Sequence, residues 1–326
     1  DLQGPKLRVG KMAEKVKLAV GDSFTFTTKK CLGTKEKAFM TYRNFPNDVE
    51  PGEQILVDDG KLLFEVIETD KKMNVLTKVL RGGRLKSKKG VNLPNTNISQ
   101  PALTKKDRMD AMFAIQLEVD WIALSFVRTP DDLILLQDLI KEHSSYKIPI
   151  IAKIEKPEAV DNIDRLTPHC DGIMVARGDL GVEVPMEKVP LIQKRLVMKA
   201  KKSNIPVIIA TQMMETMITS QVPTRAEVND VANSIMDGAD AVMLSGETSV
   251  GQFPVEVIRQ MRSIIESVEN SPLISIQDTH IKCVNERYIS KIICQQAALM
   301  ANNIEAEIIT TLTASGYTCL LYTSDA

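Results

Sequence analysis

The chain has 326 residues, 44% apolar and 25% charged, and its 41 Lys and Arg against 42 Asp and Glu leave a formal net charge of −1. At roughly 150 residues per domain this length accommodates about two domains with an ample core, and the charge balance excludes a polyanion partner such as nucleic acid. No apolar run approaches the ~18 residues of a membrane span and no basic-then-apolar leader opens the sequence, so no membrane partner is expected and the cytoplasm is the expected compartment.

Residues 10–92 read as a small all-β module. Ser23–Thr27, Gln54–Val57, Leu62–Ile67 and Val75–Leu80 are rich in Thr and β-branched residues, with Pro51-Gly52, Asp59-Gly60 and Gly82-Gly83 between them, and no helical pattern interrupts them. From about residue 104 the texture changes to alternating strand and helix units, the pattern of a parallel sheet wrapped by helices. The expected strands are 121–126, 149–154, 172–176, 206–210 and 241–245, and five such units in series predict a β/α barrel. Thr129-Pro130 with Asp131 and Asp132, and Thr224-Arg225-Ala226-Glu227 after Pro223, are helix starts. Past Glu286 a helix over 287–302 and a strand over 307–312 open a further α/β region.

Five cysteines, Cys31, Cys170, Cys283, Cys294 and Cys319, contain no C-x-x-C pair and read as free thiols. His143, His169 and His280 lie far apart at helix ends or in loops, which argues against a His-dependent triad. There is neither a G-x-x-x-x-G-K-[ST] phosphate loop nor a G-x-G-x-x-G fingerprint, so any nucleotide is held another way.

In a barrel, chemistry collects where strands end at their C-terminal side. Lys153 and Glu155 close one apolar run and, two apart on an extended strand, point to the same side. The next run ends in Arg177-Gly178-Asp179-Leu180-Gly181, where the glycines admit close backbone approach and a helix start favours an anion. Glu155 and Asp179 together supply two hard carboxylates of the kind Mg²⁺ takes alongside water and phosphate oxygens. Thr211 ends the following strand with a hydroxyl that can donate to a phosphate or carboxylate. An internal ion pair is the alternative for Lys153 and Glu155, and a plain turn is the alternative for Arg177-Gly178-Asp179. Arg84, Lys86, Lys88 and Lys89, beside Asp58-Asp59, read either as a lid over polyphosphate or as solvated surface charge.

The motifs Gly4-Pro5-Lys6-Leu7-Arg8, Val57-Asp58-Asp59-Gly60, Lys88-Lys89-Gly90-Val91-Asn92-Leu93-Pro94, Ile151-Ala152-Lys153-Ile154-Glu155, Met174-Val175-Ala176-Arg177-Gly178-Asp179-Leu180-Gly181, Ala210-Thr211-Gln212-Met213, Pro223-Thr224-Arg225-Ala226-Glu227 and Met243-Leu244-Ser245-Gly246-Glu247-Thr248 stand in one order along the chain. On these the sequence resembles the pyruvate kinase family over most of its length. The resemblance implies an α/β fold: an incomplete TIM (β/α)8 barrel formed by residues 1–9 and 93–270, an inserted β lid over 10–92, and a linker with the start of a C-terminal α/β domain over 271–326. It implies the reaction of phosphoenolpyruvate with ADP to give pyruvate and ATP. By matching position, Lys153 would stabilise the transferring phosphoryl and the enolate, Glu155 and Asp179 would hold Mg²⁺ or Mn²⁺, and Gly178, Asp179 and Thr211 would bind the substrate. Arg8, Asp59 and Lys89 would bind the nucleotide, and the full-length protein would be a homotetramer.

The family's potassium-dependent members have a Glu where this chain has Lys6, in the monovalent-cation region opened by Asp1, so K⁺ is expected not to be required. The family segment before Asp1, two barrel strands and most of a third are expected to be missing, as is most of the C-terminal domain, and the pattern is lost after Ser315. The chain thus resembles a copy truncated at both ends. Two rival functions follow: an inactive nucleotide- or metal-binding fragment, and another metal-dependent barrel enzyme acting on phosphoenolpyruvate or pyruvate, such as an aldolase, which the Lys88-Lys89 lid motif disfavours.

Overall fold

A computed structural model describes residues 1–94, 96–271 and 288–312, so His280, Cys283, Cys319 and the tail after Ser315 lie outside the described residues. The chain divides into two compact units, one of Asp1–Cys170 with Val175–Ile192, the other of Asp171–Met174 with Gln193–Ala326.

The first unit contains the β module. Its strands are β1 (Lys17–Leu18), β2 (Ser23–Thr27), β3 (Lys37–Phe39), β4 (Gln54–Val57), β5 (Leu62–Thr69), β6 (Asn74–Arg81), β7 (Gly83–Arg84) and β8 (Val91–Asn92). Six of them form one sheet in the order β3-β2-β6-β5-β4-β8, antiparallel except for the parallel β2 and β3 pair. Period-two alternation sends Phe24 and Phe26, Leu62, Phe64 and Val66, and Val75, Thr77 and Val79 to one buried face. There the rings of Phe24, Phe26 and Phe64 meet edge-on or tilted at 5.1–5.5 Å. The expectation of a module without helix needs correcting: Phe45–Asp48 form one helical turn. Proline is well placed at a helix start, and Phe45 is fully buried with its ring 6.0 Å from that of Phe26, so core packing fixes the turn.

The parallel strands are β9 (Ile122–Leu124), β10 (Ile150–Ile154), β11 (Gly172–Ala176), β12 (Val207–Ala210) and β13 (Ala241–Met243), side by side in sequence order. Each of the five expected runs contains its strand. In the first unit Ile150, Ile151 and Ala152 pair with Ile122, Ala123 and Leu124, and the helix Pro130–His143 buries Leu133, Leu136, Leu139 and Ile140 after its start at Thr129. Leu2 adds a parallel bridge to Leu124, its N–H donating to the Ala123 carbonyl at 2.9 Å. In the second unit Ile208, Ile209 and Ala210 pair with Ala241, Val242 and Met243, accompanied by the helices Arg225–Met236 and Pro254–Glu269.

The helix expected over 287–302 is observed as Tyr288–Asn303. The strand expected over 307–312 is not formed: Ile308 is 79% exposed and Leu312 fully exposed, and no described strand lies beside them to accept their backbone hydrogen bonds. No helix among the described residues is long and apolar enough to cross a membrane.

Candidate active site

The first unit gathers most of the candidate residues. On β10 the alternation places Lys153 and Glu155 together, with Nζ 2.9 Å from Oε1. Glu155 is buried, with its side chain 1% exposed, and its other oxygen accepts the Phe126 N–H at 2.8 Å. Lys153 also donates to Ser125 Oγ at 2.9 Å and lies 3.3 Å from the Asp1 carboxylate. The ammonium is thus held at the end of β10 by oxygens from three segments. Burial raises the Glu155 carboxyl above its ordinary range, Lys153 opposes that shift, and the neighbouring Asp179 carboxylate adds to it.

Asp179 and Gly178 occupy the first turn of the helix Arg177–Glu183, which begins as β11 ends. The helix dipole there favours negative charge. Two neighbouring carboxylates, one of them buried, form a donor set suited to a hard divalent cation. Among the described residues no group of three or more His, Cys, Asp or Glu is placed to hold a metal. Glu155 and Asp179 would therefore leave the remaining coordination positions to water or ligand oxygens.

Asp179 also lines a cavity of about 210 Å³, together with Lys6, Arg8, Asp58, Asp59, Lys89, Asn92, Lys156 and Glu183. The three residues expected to meet a nucleotide, Arg8, Asp59 and Lys89, thus share one cavity with one of the two expected metal ligands. Gly4 sets the course of the Lys6–Arg8 segment. Its φ of +68° suits glycine, a Cβ there would meet the Phe126 ring at 2.8 Å, and its N–H donates to the buried Asp107 at 3.1 Å. Arg8 donates to the Lys88 carbonyl at 2.9 Å. Lys89 pairs with Asp58 at 2.8 Å, and that hydrogen bond holds its ammonium above the usual lysine range. Asp58 and Asp59 both sit in the left-handed region, at φ +56°. Of the basic cluster, only Lys89 lines this cavity; Lys88 lines a second one, with Arg8, Lys11 and Lys30, and Arg84 lies on β7.

Thr211 belongs to the second unit. It follows β12 at φ +71°, with Gln212 at +54°, and its hydroxyl donates to the Ala210 carbonyl at 2.6 Å. Two successive non-glycine residues in that region store strain of a sort that concentrates at functional sites. Glu247 of the Gly246-Glu247-Thr248 motif is buried and accepts the N–H groups of Met214 at 3.2 Å and Ser245 at 2.7 Å, tying together the segments that follow β12 and β13.

The sequence reasoning missed Ser125, Lys156, Glu183 and Asn92. Ser125 directly follows β9, but Phe126 and Val127 continue the apolar run past it, so it lacked the polar run-end that selected Lys153 and Thr211. Lys156 and Glu183 form a buried ion pair at 2.7 Å, and Asn92 donates to the same Glu183 oxygen at 2.8 Å. These residues are 27 and 91 positions from Glu183, and no local pattern announces such contacts.

The family model for the pyruvate kinase barrel domain matches residues 1–258. A pyruvate kinase of Mycobacterium intracellulare is 44% identical over 321 residues, covering 98% of this chain and 66% of the relative. One from Geobacillus stearothermophilus is 44% identical over 324 residues, covering 98% and 54%. A crystal structure of a pyruvate kinase from Cryptosporidium parvum superposes with a TM-score of 0.88 at 36% identity, covering 99% of this chain and 67% of that one. The chain therefore spans about two thirds or less of the length of these relatives. With a family model matched over residues 1–258, this extent of identity and this structural overlap, the chain belongs to the pyruvate kinase family.

Proposed function

We propose that this chain is the catalytic portion of a pyruvate kinase, which transfers the phosphoryl group of phosphoenolpyruvate to ADP and yields pyruvate and ATP. In this reading the parallel strands are part of an incomplete (β/α)8 barrel, the β module is its lid, and the helix Tyr288–Asn303 opens a C-terminal α/β domain. The protein works in the cytoplasm, and the full-length form is a homotetramer. The observation that carries the reading is the position of Asp179, beside the buried Glu155 of the Lys153 ion pair and in the wall of the cavity shared by Arg8, Asp59 and Lys89.

Phosphoryl transfer asks a protein chiefly to position its reactants and to place positive charge where negative charge spreads. An oxygen of the ADP β-phosphate bonds to phosphorus as the bond to the enol oxygen breaks, and protonation of the resulting enolate at its methylene carbon gives pyruvate. Lys153 would place positive charge against both the phosphoryl oxygens and the enolate. Arg8 and Lys89 would hold the ADP phosphates with Asp59 beside them, and Thr211 and the amides of Gly178 and Asp179 would bind phosphoenolpyruvate. Glu155 and Asp179 would hold Mg²⁺ or Mn²⁺, which when bound supplies further positive charge to the phosphoryl oxygens.

A lysine ~4 Å from a phosphoryl oxygen contributes about 4 kcal/mol at an effective dielectric of ~20, roughly a thousandfold in rate. Lys153→Met is expected to abolish pyruvate formation in a coupled assay while Mn²⁺ and phosphoenolpyruvate still bind; an unchanged kcat would refute the assignment. Because the chain spans only part of its relatives, the rival reading is a binding fragment without turnover. Wild-type chain that binds ADP and Mn²⁺ and forms no pyruvate would favour that rival.

A further inference from the structure

The Glu183 carboxylate ends the helix that carries Asp179, and its surroundings exceed what a stabilising ion pair needs. Its side chain is 1% exposed and that of its partner Lys156 is 7% exposed. Oε1 takes two donors, Lys156 Nζ at 2.7 Å and Asn92 Nδ2 at 2.8 Å, whereas Oε2 is buried and has no hydrogen-bond partner among the described residues. A buried ion pair of this kind does little better than well-packed apolar residues of equal volume, so a merely structural role accounts poorly for it.

The three bonded segments are those that bear the candidate machinery. Lys156 directly follows Glu155. Asn92 lies on β8, opposite Leu56 of β4, which stands two residues before Asp58, and Asn92 itself is three residues after Lys89. Glu183 is four residues from Asp179. One carboxylate thus ties the exit strand of the β module both to the strand with the catalytic lysine and to the helix with a metal ligand.

We propose that Glu183 is a positioning residue, a latch that fixes the Asp58–Lys89 wall of the cavity against β10 so that a nucleoside diphosphate is presented in register with the transferred phosphoryl. This rests on the nucleotide reading of the cavity. Glu183 lines that cavity, and its bare Oε2 leaves an acceptor there for a donor group of the bound nucleotide.

The test uses the whole chain with ADP and Mn²⁺ as probes and two variants. Asn92→Ala removes only the module's arm and leaves the ion pair. Glu183→Gln removes the charge while keeping an oxygen for Asn92. The first readout is amide hydrogen exchange at Asp58, whose N–H donates to the Gly90 carbonyl, and at Val91, whose N–H donates to that of Leu7. Both variants are expected to exchange at least tenfold faster there, to bind ADP at least fivefold more weakly and to bind Mn²⁺ within twofold of wild type. A third variant, Lys156→Met with Glu183→Leu, separates latch from packing: thermal stability returns to the wild-type level while ADP affinity stays low. Wild-type exchange in both single variants, or faster exchange with ADP affinity unchanged, would overturn the latch, as would wild-type ADP affinity in the double variant. A wild-type chain that binds no ADP would instead overturn the nucleotide reading, and the exchange comparison alone would still decide whether Glu183 holds the module.

Discussion

Glu155 is a carboxylate almost without solvent, compensated by one ammonium and opposed by one neighbouring carboxylate. Its folded pKa lies above the ordinary 4.5, so between that value and the raised one the folded chain keeps a proton that the unfolded chain has released. Its ionisation therefore opposes folding progressively as pH rises through that window. In the proposed metal-binding role the same proton would compete with a divalent cation. Mn²⁺ affinity, read from the fall in free-ion signal in electron paramagnetic resonance, is expected to climb as pH rises upward from 4.5, approaching tenfold per unit where one proton is displaced. Affinity flat across that range would show that Glu155 is not a ligand. Lys6 lines the same cavity as Asp179. We propose that a fixed ammonium there replaces the charge that K⁺ would bring, so turnover in tetramethylammonium buffer is expected to equal that in K⁺ buffer, and Lys6→Glu to create a K⁺ requirement. Strong activation of the wild type by K⁺ would refute this.

Among the elements, the helix Arg225–Met236 shows how a local signal becomes stability. The Glu227 N–H donates to Thr224 Oγ1 at 3.2 Å and the Thr224 N–H donates to the Glu227 carboxylate at 2.8 Å. Thr216 adds its N–H at 2.8 Å and its hydroxyl at 2.5 Å, fastening the helix start to the preceding 3-10 turn Glu215–Ile218. Burial alone would raise the Glu227 carboxyl, but the hydrogen bonds from Thr216 and Thr224 together outweigh it and hold the group below 4.5. Its contribution is therefore complete above pH 4.5 and lost as pH falls through the lower folded value. Thr224→Ala is expected to lower stability by about 1 kcal/mol in thermal or urea unfolding at pH 7, and Glu227→Gln to remove part of the acid sensitivity; unchanged unfolding in both would contradict the role of the cap. This capping box was legible because its partners lie three residues apart. The five parallel strands were legible for a like reason, as apolar runs ending in polar residues, and those ends pointed to Lys153, Glu155 and Asp179. The turn at Phe45 was not, since it depends on a ring filling a space walled by Phe26 and its neighbours. The latch at Glu183 was hidden in the same way, and the absent strand over 307–312 shows the converse: β propensity yields no strand without a partner edge.

At the scale of the whole chain, the parallel sheet is unevenly covered. β9, at one end of the strand order, is buried throughout and bridged by Leu2, whereas β13, at the other, has Ala241 exposed and Val242 and Met243 only partly buried. Among the described strands β13 has no neighbour beyond β12, and a strand edge left without a neighbour is a template for pairing with another chain. Separately, in the first unit, Met109, Phe113 and Leu117 stand 70%, 61% and 61% exposed, four residues apart along the helix Lys105–Gln116 and its C-terminal cap, which aligns them on one face. Apolar stripes and unpaired edges of this kind are where incompletely covered sheets associate. The relatives are substantially longer than this chain, and their additional segments are candidates to cover both features. The isolated 326-residue chain is therefore expected to bind an apolar dye such as 8-anilinonaphthalene-1-sulfonate and to sediment as species that grow with concentration. Appending the remaining family segments should reduce both, and replacing Met109, Phe113 and Leu117 with Lys or Glu should reduce the dye signal while leaving association through the β13 edge. A monomeric chain that leaves the dye dark would mean that neither surface is in need of cover.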